Sequence, residues 1–451
     1  MVSSSRHIIG LASLLAGTAV VGLDSAVNID FPRIAARFAL AIPQIQWVVV
    51  SYTLTSASLL LVFGRIGDLI GHRRLFRIGA GWSVLAFIAC AAAPDFAWLL
   101  FGRVAQGVGA GLLLSCGPAL ATQLYPEARR ARALAIYTAG FAGAGALGPV
   151  LGGLLLARFD WSSVFWFRAP IALFALLAAA AIPAPPRAEP ARAAFDGPGA
   201  LWLVAGLASL VLAIGTAQTA HSLAALPAAG ALGAAALFVR AERRATAPII
   251  RPGLFRDPGF ALLTAASVLM NLAGFAVLLL VPFALAGFSA LPESARGAAL
   301  ALSPAAVALG APLASRAVGR GRAWPLRAGA ALAASGLALC ALSPGALGRL
   351  LGGMLLAGIG QGLFQVAYLD RTAAALPVAE RGVAGSLAML TRTFGLVLGA
   401  TVLMLVFRFV RGADTAPAAF RGAFVAAFLF AAALPASVAL VWCARPPGGR
   451  A

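Results

Sequence analysis

The sequence predicts an all-α integral membrane protein with 14 transmembrane helices. Three observations carry that expectation. Of 451 residues, 61% are hydrophobic and only 11% charged, against roughly 25% charged in an ordinary soluble domain. Apolar runs of about twenty residues, long enough to cross a hydrocarbon core, recur along the whole chain. Arginines gather at every second loop between those runs, the asymmetry that keeps loops cytoplasmic. The 34 cations, all arginine, outnumber 14 acids and leave a net charge of +20. They are scattered between apolar runs and form no basic domain, so the expected partner is the lipid bilayer and not nucleic acid.

The spans follow in order. His7–Ile29 opens the chain behind Arg6; it resembles a signal peptide but reads as a retained first helix. Ile45–Leu69, Leu75–Ala93, Ala97–Leu120, Ala133–Ala157 and Val164–Ile182 complete a first group of six. Pro183–Pro190 (PAPPRAEP) is too proline-rich to continue a helix and marks a linker. Gly199–Ala217 and Ser222–Val239 follow, joined by a turn at His221. A charged stretch, Arg240–Asp257, leads to Gly259–Leu285, Ala295–Ala314, Leu326–Leu342, Leu350–Leu369, Val383–Val406 and Gly422–Cys443. The division is thus a bundle over 1–183, a linker with two extra helices over 184–256, and a second bundle over 257–451. An even span count with Arg-rich inner loops (Arg73, Arg74 and Arg77; Arg129, Arg130 and Arg132; Arg240, Arg243 and Arg244; Arg316, Arg320 and Arg322) puts both termini in the cytoplasm. Cys90, Cys116, Cys340 and Cys443 fall in or at the end of apolar runs and read as small buried hydrophobes.

Few ionisable groups lie inside spans, and such groups are functional candidates because burying them in hydrocarbon is costly. Arg103 sits roughly 9 Å into the fourth span from outside, and Asp24 roughly 25 Å up the first span from inside. The two share the outer half, with Asn28 one turn beyond Asp24 on the same face. Either Asp24 takes and releases a proton under the influence of Arg103, or the two form a static pair. Asp30, near the outer mouth and about 240° around the helix from Asp24, reads as an exposed rim acid in preference to a second proton site. Arg392 falls near mid-span in the thirteenth run. Gln361 and Gln365, one turn apart, and Asn271 are polar groups that fit interhelical hydrogen bonding and substrate contact equally well.

One loop, Gly64 to Arg74 (GRIGDLIGHRR), is unlike an ordinary membrane loop. Asp68 falls in the last turn of a helix, where an acid is unfavourable unless a cation or another helix N-terminus faces it. Its pattern, Gly64-x-x-x-Asp68-x-x-Gly71-x-Arg73-Arg74, resembles the signature loop of the major facilitator superfamily. The order of further motifs resembles that superfamily's fourteen-spanner drug:proton antiporter family. Leu23-Asp24-Ser25-Ala26-Val27-Asn28, Gln46-Trp47 with Tyr52, and Leu99-x-x-x-Arg103-x-x-Gln106-Gly107 match its first, second and fourth helices. Gly145-x-x-Gly148-Pro149-x-x-Gly152-Gly153 matches the antiporter motif of the fifth helix. Trp161, Phe165 and Pro170 match the start of helix six, Phe195-Asp196-x-x-Gly199 that of helix seven, and Pro248 with Leu254-Phe255-Arg256 that of helix nine.

The resemblance implies two six-helix bundles with two additional linker helices, working by alternating access. It implies proton coupling at Asp24 and Arg103; at Asp30 the family usually has a small apolar residue, so that acid stands as a second proton-coupling candidate on its position alone. Substrate-cavity candidates are Asn28, Gln46, Trp47, Tyr52 and Arg392, in stretches that resemble the family's, and Asn271, Gln361 and Gln365, by their position inside spans; the resemblance also implies a conformational lock at Asp68. The expected function is proton-coupled efflux of small lipophilic or amphipathic compounds across a bacterial inner membrane, by a monomer without cofactor, driven by the proton gradient. The alternatives are a dedicated exporter of one metabolite, peptide or lipid, a proton-coupled importer that the fifth-helix motif disfavours, and a non-transporting sensor or assembly partner. Three departures stand out: Arg168 replaces the family's asparagine, Ser315 an acid of the second-half loop, and lysine is missing throughout, although arginine can serve the loop positions. The chain carries no catalytic set. Its three histidines, His7, His72 and His221, lie without metal-ligand spacing, and a chain without lysine has no Walker motif.

Overall fold

The computed structural model describes residues 4–125, 130–183, 225–244 and 252–444, apart from 319, 321, 323, 344, 376–381, 413 and 415. Between these, 197–199, 201–202, 204–206, 208–209 and 213 are also described. All regular structure among the described residues is helical. The proline-rich segment 184–190, His221, the Phe195-Asp196 pair and Pro248 lie outside them.

The first apolar run is one rod that changes pitch midway. Helix α1 (Ser4–Gly22) passes into a 3₁₀ stretch, Leu23–Asp30, and then α2 (Phe31–Arg37). The change has a cause at its far end. Pro32 has no N–H to return to the Asn28 carbonyl four residues back, and the Phe31 N–H takes that carbonyl in an i→i+3 bond instead. The span therefore runs to Arg37, past the expected end at Ile29.

Helix α3 (Gln46–Ile70) ends at Gly71, whose φ of 93° is in the region that favours glycine. Helix α4 (His72–Ala91) starts at once, so His72, Arg73 and Arg74 form its first turn and are not a separate loop. Helix α5 (Phe96–Gln123) is capped by the Asp95 carboxylate, which accepts from the Trp98 N–H at 2.7 Å. Then come α6 (Arg130–Leu156), the short α7 (Ser163–Trp166), α8 (Arg168–Ala178) and α9 (Ala225–Arg244). Helix α10 (Pro258–Phe288) is capped by Asp257 through the Gly259 N–H at 3.0 Å. It is followed by α11 (Glu293–Val318), which holds Pro304 and Pro312 in its interior, α12 (Trp324–Ala341), α13 (Leu347–Ala374), α14 (Gly382–Arg411) and α15 (Pro417–Ala444).

Twelve of the described helical segments are long and apolar enough to cross a membrane, or 13 if a bent pair is one span. The expected count of fourteen is not met among the described residues. The second expected span is bent by 43° between Ile42–Leu60 and Val62–Ile70, and the seventh, Gly199–Ala217, is described only in pieces. The chain separates into two compact units, Met1–Leu40 with Trp47–Pro252, and Ala41–Gln46 with Gly253–Ala451. In the first, Phe76, Leu113, Cys116 and Ala172 lie at the centre of the core; in the second, Ala330, Phe364 and Met270 do. Outward faces are apolar too, with Leu85, Phe101, Leu177 and Phe409 exposed, as helices whose solvent is lipid require. Cys90, Cys116 and Cys340 are free and buried.

Candidate functional site

In the first unit, four elements meet around one carboxylate. The 3₁₀ stretch brings Asp24; α5 brings Arg103 and Gln106; α8 opens with Arg168; α3 contributes Val48 and Tyr52. The Arg103 guanidinium grips Asp24 in a fork, Nη1 to Oδ1 at 2.6 Å and Nη2 to Oδ2 at 2.9 Å, the bidentate geometry that guanidinium and carboxylate share. Its Nε donates to the Val48 carbonyl at 2.7 Å and its face covers the Tyr52 ring at 4.4 Å. Gln106 binds both partners: its Oε1 accepts from Arg103 Nη1 at 2.8 Å, and its Nε2 donates to Asp24 Oδ1 at 2.7 Å. Arg168 Nη1 reaches the same Oδ1 at 2.8 Å. Oδ1 thus accepts three donors and Oδ2 one, leaving Oδ2 the oxygen with room for a proton. Arg103 and Arg168 are 1% and 0% exposed, whereas the Asp24 side chain is 15% exposed.

The glycine motif of α6 sets the position of this carboxylate. A Cβ at Gly148 would lie 2.9 Å from the Ala26 backbone nitrogen, and one at Gly152 would lie 2.9 Å from the Ala26 carbonyl oxygen. The two glycines let α6 lie directly against the backbone that carries Asp24. Pro149 adds a directed contact. Having no N–H, it cannot bond the Gly145 carbonyl four residues back, and Ser25 Oγ donates to that carbonyl at 2.8 Å. The proline of the motif thus frees an acceptor for the residue next to Asp24. Ser25→Ala should leave that carbonyl unsatisfied and cost about 1 kcal/mol, read as a lower unfolding temperature of the purified protein.

The signature loop resolves the unfavourable position of Asp68. Its Oδ1 lies 3.2 Å from His72 Nε2, on the first residue of α4, so the acid at one helix C-terminus faces the N-terminus of the next. Arg73 turns away from Asp68 and donates to the Ala179 carbonyl (Nε, 3.2 Å) and the Ala180 carbonyl (Nη2, 2.8 Å), at the end of the sixth span. Arg74 is exposed.

Other expected residues fall elsewhere. Asp30 is fully buried, not an exposed rim acid, because the chain continues as α2 beyond it instead of ending at the membrane surface. Gln46 and Tyr52 are buried, and Asn28 and Trp47 half-buried. In the second unit Asn271 donates to the Ser267 carbonyl at 2.8 Å and accepts weakly from Gln361 Nε2 at 3.4 Å. Gln365 is half-buried and Arg392 exposed. Two members of the Asp24 site were absent from the candidate set. Gln106 stands one turn from Arg103 inside a motif already recognised. Arg168 was visible as an arginine in an asparagine's place.

This fold and site define a polytopic membrane protein with a charged cluster buried among its helices. The family model of the Major Facilitator Superfamily matches residues 13–400, and the chain belongs to that superfamily. It is 32% identical over 395 residues to the multidrug resistance protein Stp of Mycobacterium tuberculosis, covering 86% of this chain and 73% of the relative. It is 34% identical over 419 residues to the cephamycin export protein CmcT of Amycolatopsis lactamdurans, covering 88% and 84%. Among solved structures, a bacterial homologue of the human lysosomal transporter Spinster, inward-facing and unoccupied, superposes with a TM-score of 0.70 at 17% identity over all of both chains. That last similarity concerns the fold alone.

Proposed function

We propose that this chain is a proton-coupled antiporter that exports small lipophilic or amphipathic organic compounds across a bacterial inner membrane. The observation that carries the reading is the Asp24 carboxylate, the one partly open member of a buried charged cluster, held by Arg103 in a chain similar to drug and antibiotic exporters. A proton arriving on Oδ2 would replace the Arg103 Nη2 bond, loosen the fork and free α5 to move against the 3₁₀ stretch. Deprotonation restores the fork. Asp30 is the second acid of the scheme, and Asn28, Trp47, Tyr52, Asn271, Gln361, Gln365 and Arg392 are the side chains offered to substrate. The full reading has fourteen spans, six, two and six, with both termini cytoplasmic, acting as a monomer by alternating access without cofactor. The similarity to a cephamycin export protein favours a second reading, a dedicated exporter of one compound.

The test is drug susceptibility of an efflux-deficient bacterium expressing the chain. Inhibitory concentrations should rise at least 4-fold for some dyes or antibiotics, and dye efflux from loaded cells should stop when a protonophore collapses the proton gradient. Efflux that persists without the gradient would remove proton coupling.

A further inference from the structure

Arg168 is the part of the site that coupling at Asp24 and Arg103 does not require. Two guanidinia meet a single carboxylate, so the trio carries one excess positive charge, and both guanidinia are buried. A buried charge without a counter-ion is costly. Aromatic faces cover part of the excess: the Arg168 guanidinium carbon lies 4.6 Å from the Phe87 ring centre and 5.4 Å from that of Phe165. Those faces attract a cation but accept no directed N–H.

The donors tell the two arginines apart. Every nitrogen of Arg103 is engaged, with Val48, Asp24 and Gln106. Arg168 uses Nε on the Val164 carbonyl at 3.0 Å and Nη1 on Asp24 at 2.8 Å. Its Nη2 is buried and has no hydrogen-bond partner among the described residues. The excess charge and the unused donor therefore belong to the same side chain. A cation drawn to Asp24 would have to displace one guanidinium and lie beside the other, where like-charge repulsion is strong. A group with an acceptor oxygen would meet a charged donor already in place.

We infer that Arg168 determines specificity at this site: it turns cations away from Asp24, and its Nη2 seats an acceptor oxygen, carbonyl or carboxylate, of a neutral or anionic substrate. This rests on the reading of the chain as an exporter, deepens it by naming a substrate class, and is read separately by binding.

The probes are three naphthalenes that differ only in their head group: a carboxylate, a methyl ketone and a trimethylammonium. Binding is measured by competition on the full-length protein in detergent, for wild type, Arg168→Asn and Arg168→Lys. Wild type should bind the ketone or the carboxylate at least 10-fold more tightly than the ammonium compound. The two oxygen probes decide whether the seat takes a neutral or a charged acceptor. Arg168→Asn should weaken the preferred oxygen probe about 10-fold or more, the scale of one hydrogen bond to a charged group, and strengthen the ammonium compound. Arg168→Lys keeps the charge and should still reject the ammonium compound, which separates the role from a merely structural one. Equal binding of all three head groups to wild type, unchanged preference in Arg168→Asn, or binding of none of the probes would overturn the inference. Proteoliposome transport of the same probes is run in parallel. Selective binding without transport would sink the export reading and leave the assignment of Arg168 standing.

Discussion

Asp24→Asn should reduce uphill, proton-driven export at least 100-fold while leaving substrate-for-substrate exchange measurable. An amide keeps the shape of the carboxylate and can still accept from Arg103 Nη1, Gln106 Nε2 or Arg168 Nη1, all within 2.8 Å of Oδ1 in the native site. It cannot take and release a proton, so the step that exchanges proton for substrate is lost even where both conformations still form. The substitution also leaves two buried guanidinia facing a neutral group. Removing one partner of a buried ion pair costs about 3–5 kcal/mol, so a lower unfolding temperature is expected as well. The exchange assay separates the two effects. A protein that merely fails to fold loses exchange and uphill export together, whereas an uncoupled carrier loses only the second. Uphill export that survives in Asp24→Asn would remove Asp24 from the coupling step and turn attention to Asp30, which is buried a short way along the same 3₁₀ stretch.

Much of this site was legible in the sequence because membrane burial makes charge rare. An aspartate and an arginine at similar depth in the first and fourth apolar runs stand out against a background of alanine, leucine and glycine, and desolvation forces such groups to find each other. What the pattern did not give was the local pitch. A helix-wheel rotation assumes 3.6 residues per turn, and Leu23–Asp30 is a 3₁₀ stretch, which helps to explain why Asp30 was assigned to an exposed rim and is buried. Arg168 shows a different blind spot. It lies near a span end in the sequence, where long cations usually reach water, and only the packing of α7 and α8 against Phe87 and Asp24 turns it inward. The bend in α3 follows no proline or other signal that the sequence reading could use.

Gly152→Val should abolish transport and lower the unfolding temperature, whereas Gly143→Val, two and a half turns earlier on the same helix, should do neither. A Cβ at Gly152 would lie 2.8 Å from Ile29 Cγ2 and 2.9 Å from the Ala26 carbonyl oxygen, and a backbone oxygen cannot rotate away. At Gly143 a Cβ meets nothing within 4 Å. Forcing a branched side chain into a closed contact costs about 1–3 kcal/mol or more, and here the displaced backbone is that of the stretch carrying Asp24, so the Arg103 fork shifts with it. Equal behaviour of the two variants would show that the close contact of Gly152 with the first span is not what the motif provides. Gly148 permits a finer test. Its Cβ would collide with Ser25 Oγ, and that oxygen would have to leave the Gly145 carbonyl to make room. In a Ser25→Ala background the clash with Oγ no longer exists, though the Ala26 nitrogen at 2.9 Å remains. Gly148→Ala should therefore cost less in Ser25→Ala than in wild type, with a coupling of about 1 kcal/mol in a double-mutant cycle. Additive costs would mean that the two helices separate when Gly148 is changed, so that the hydroxyl is already lost and the motif acts as a spacer without a directed hydrogen bond.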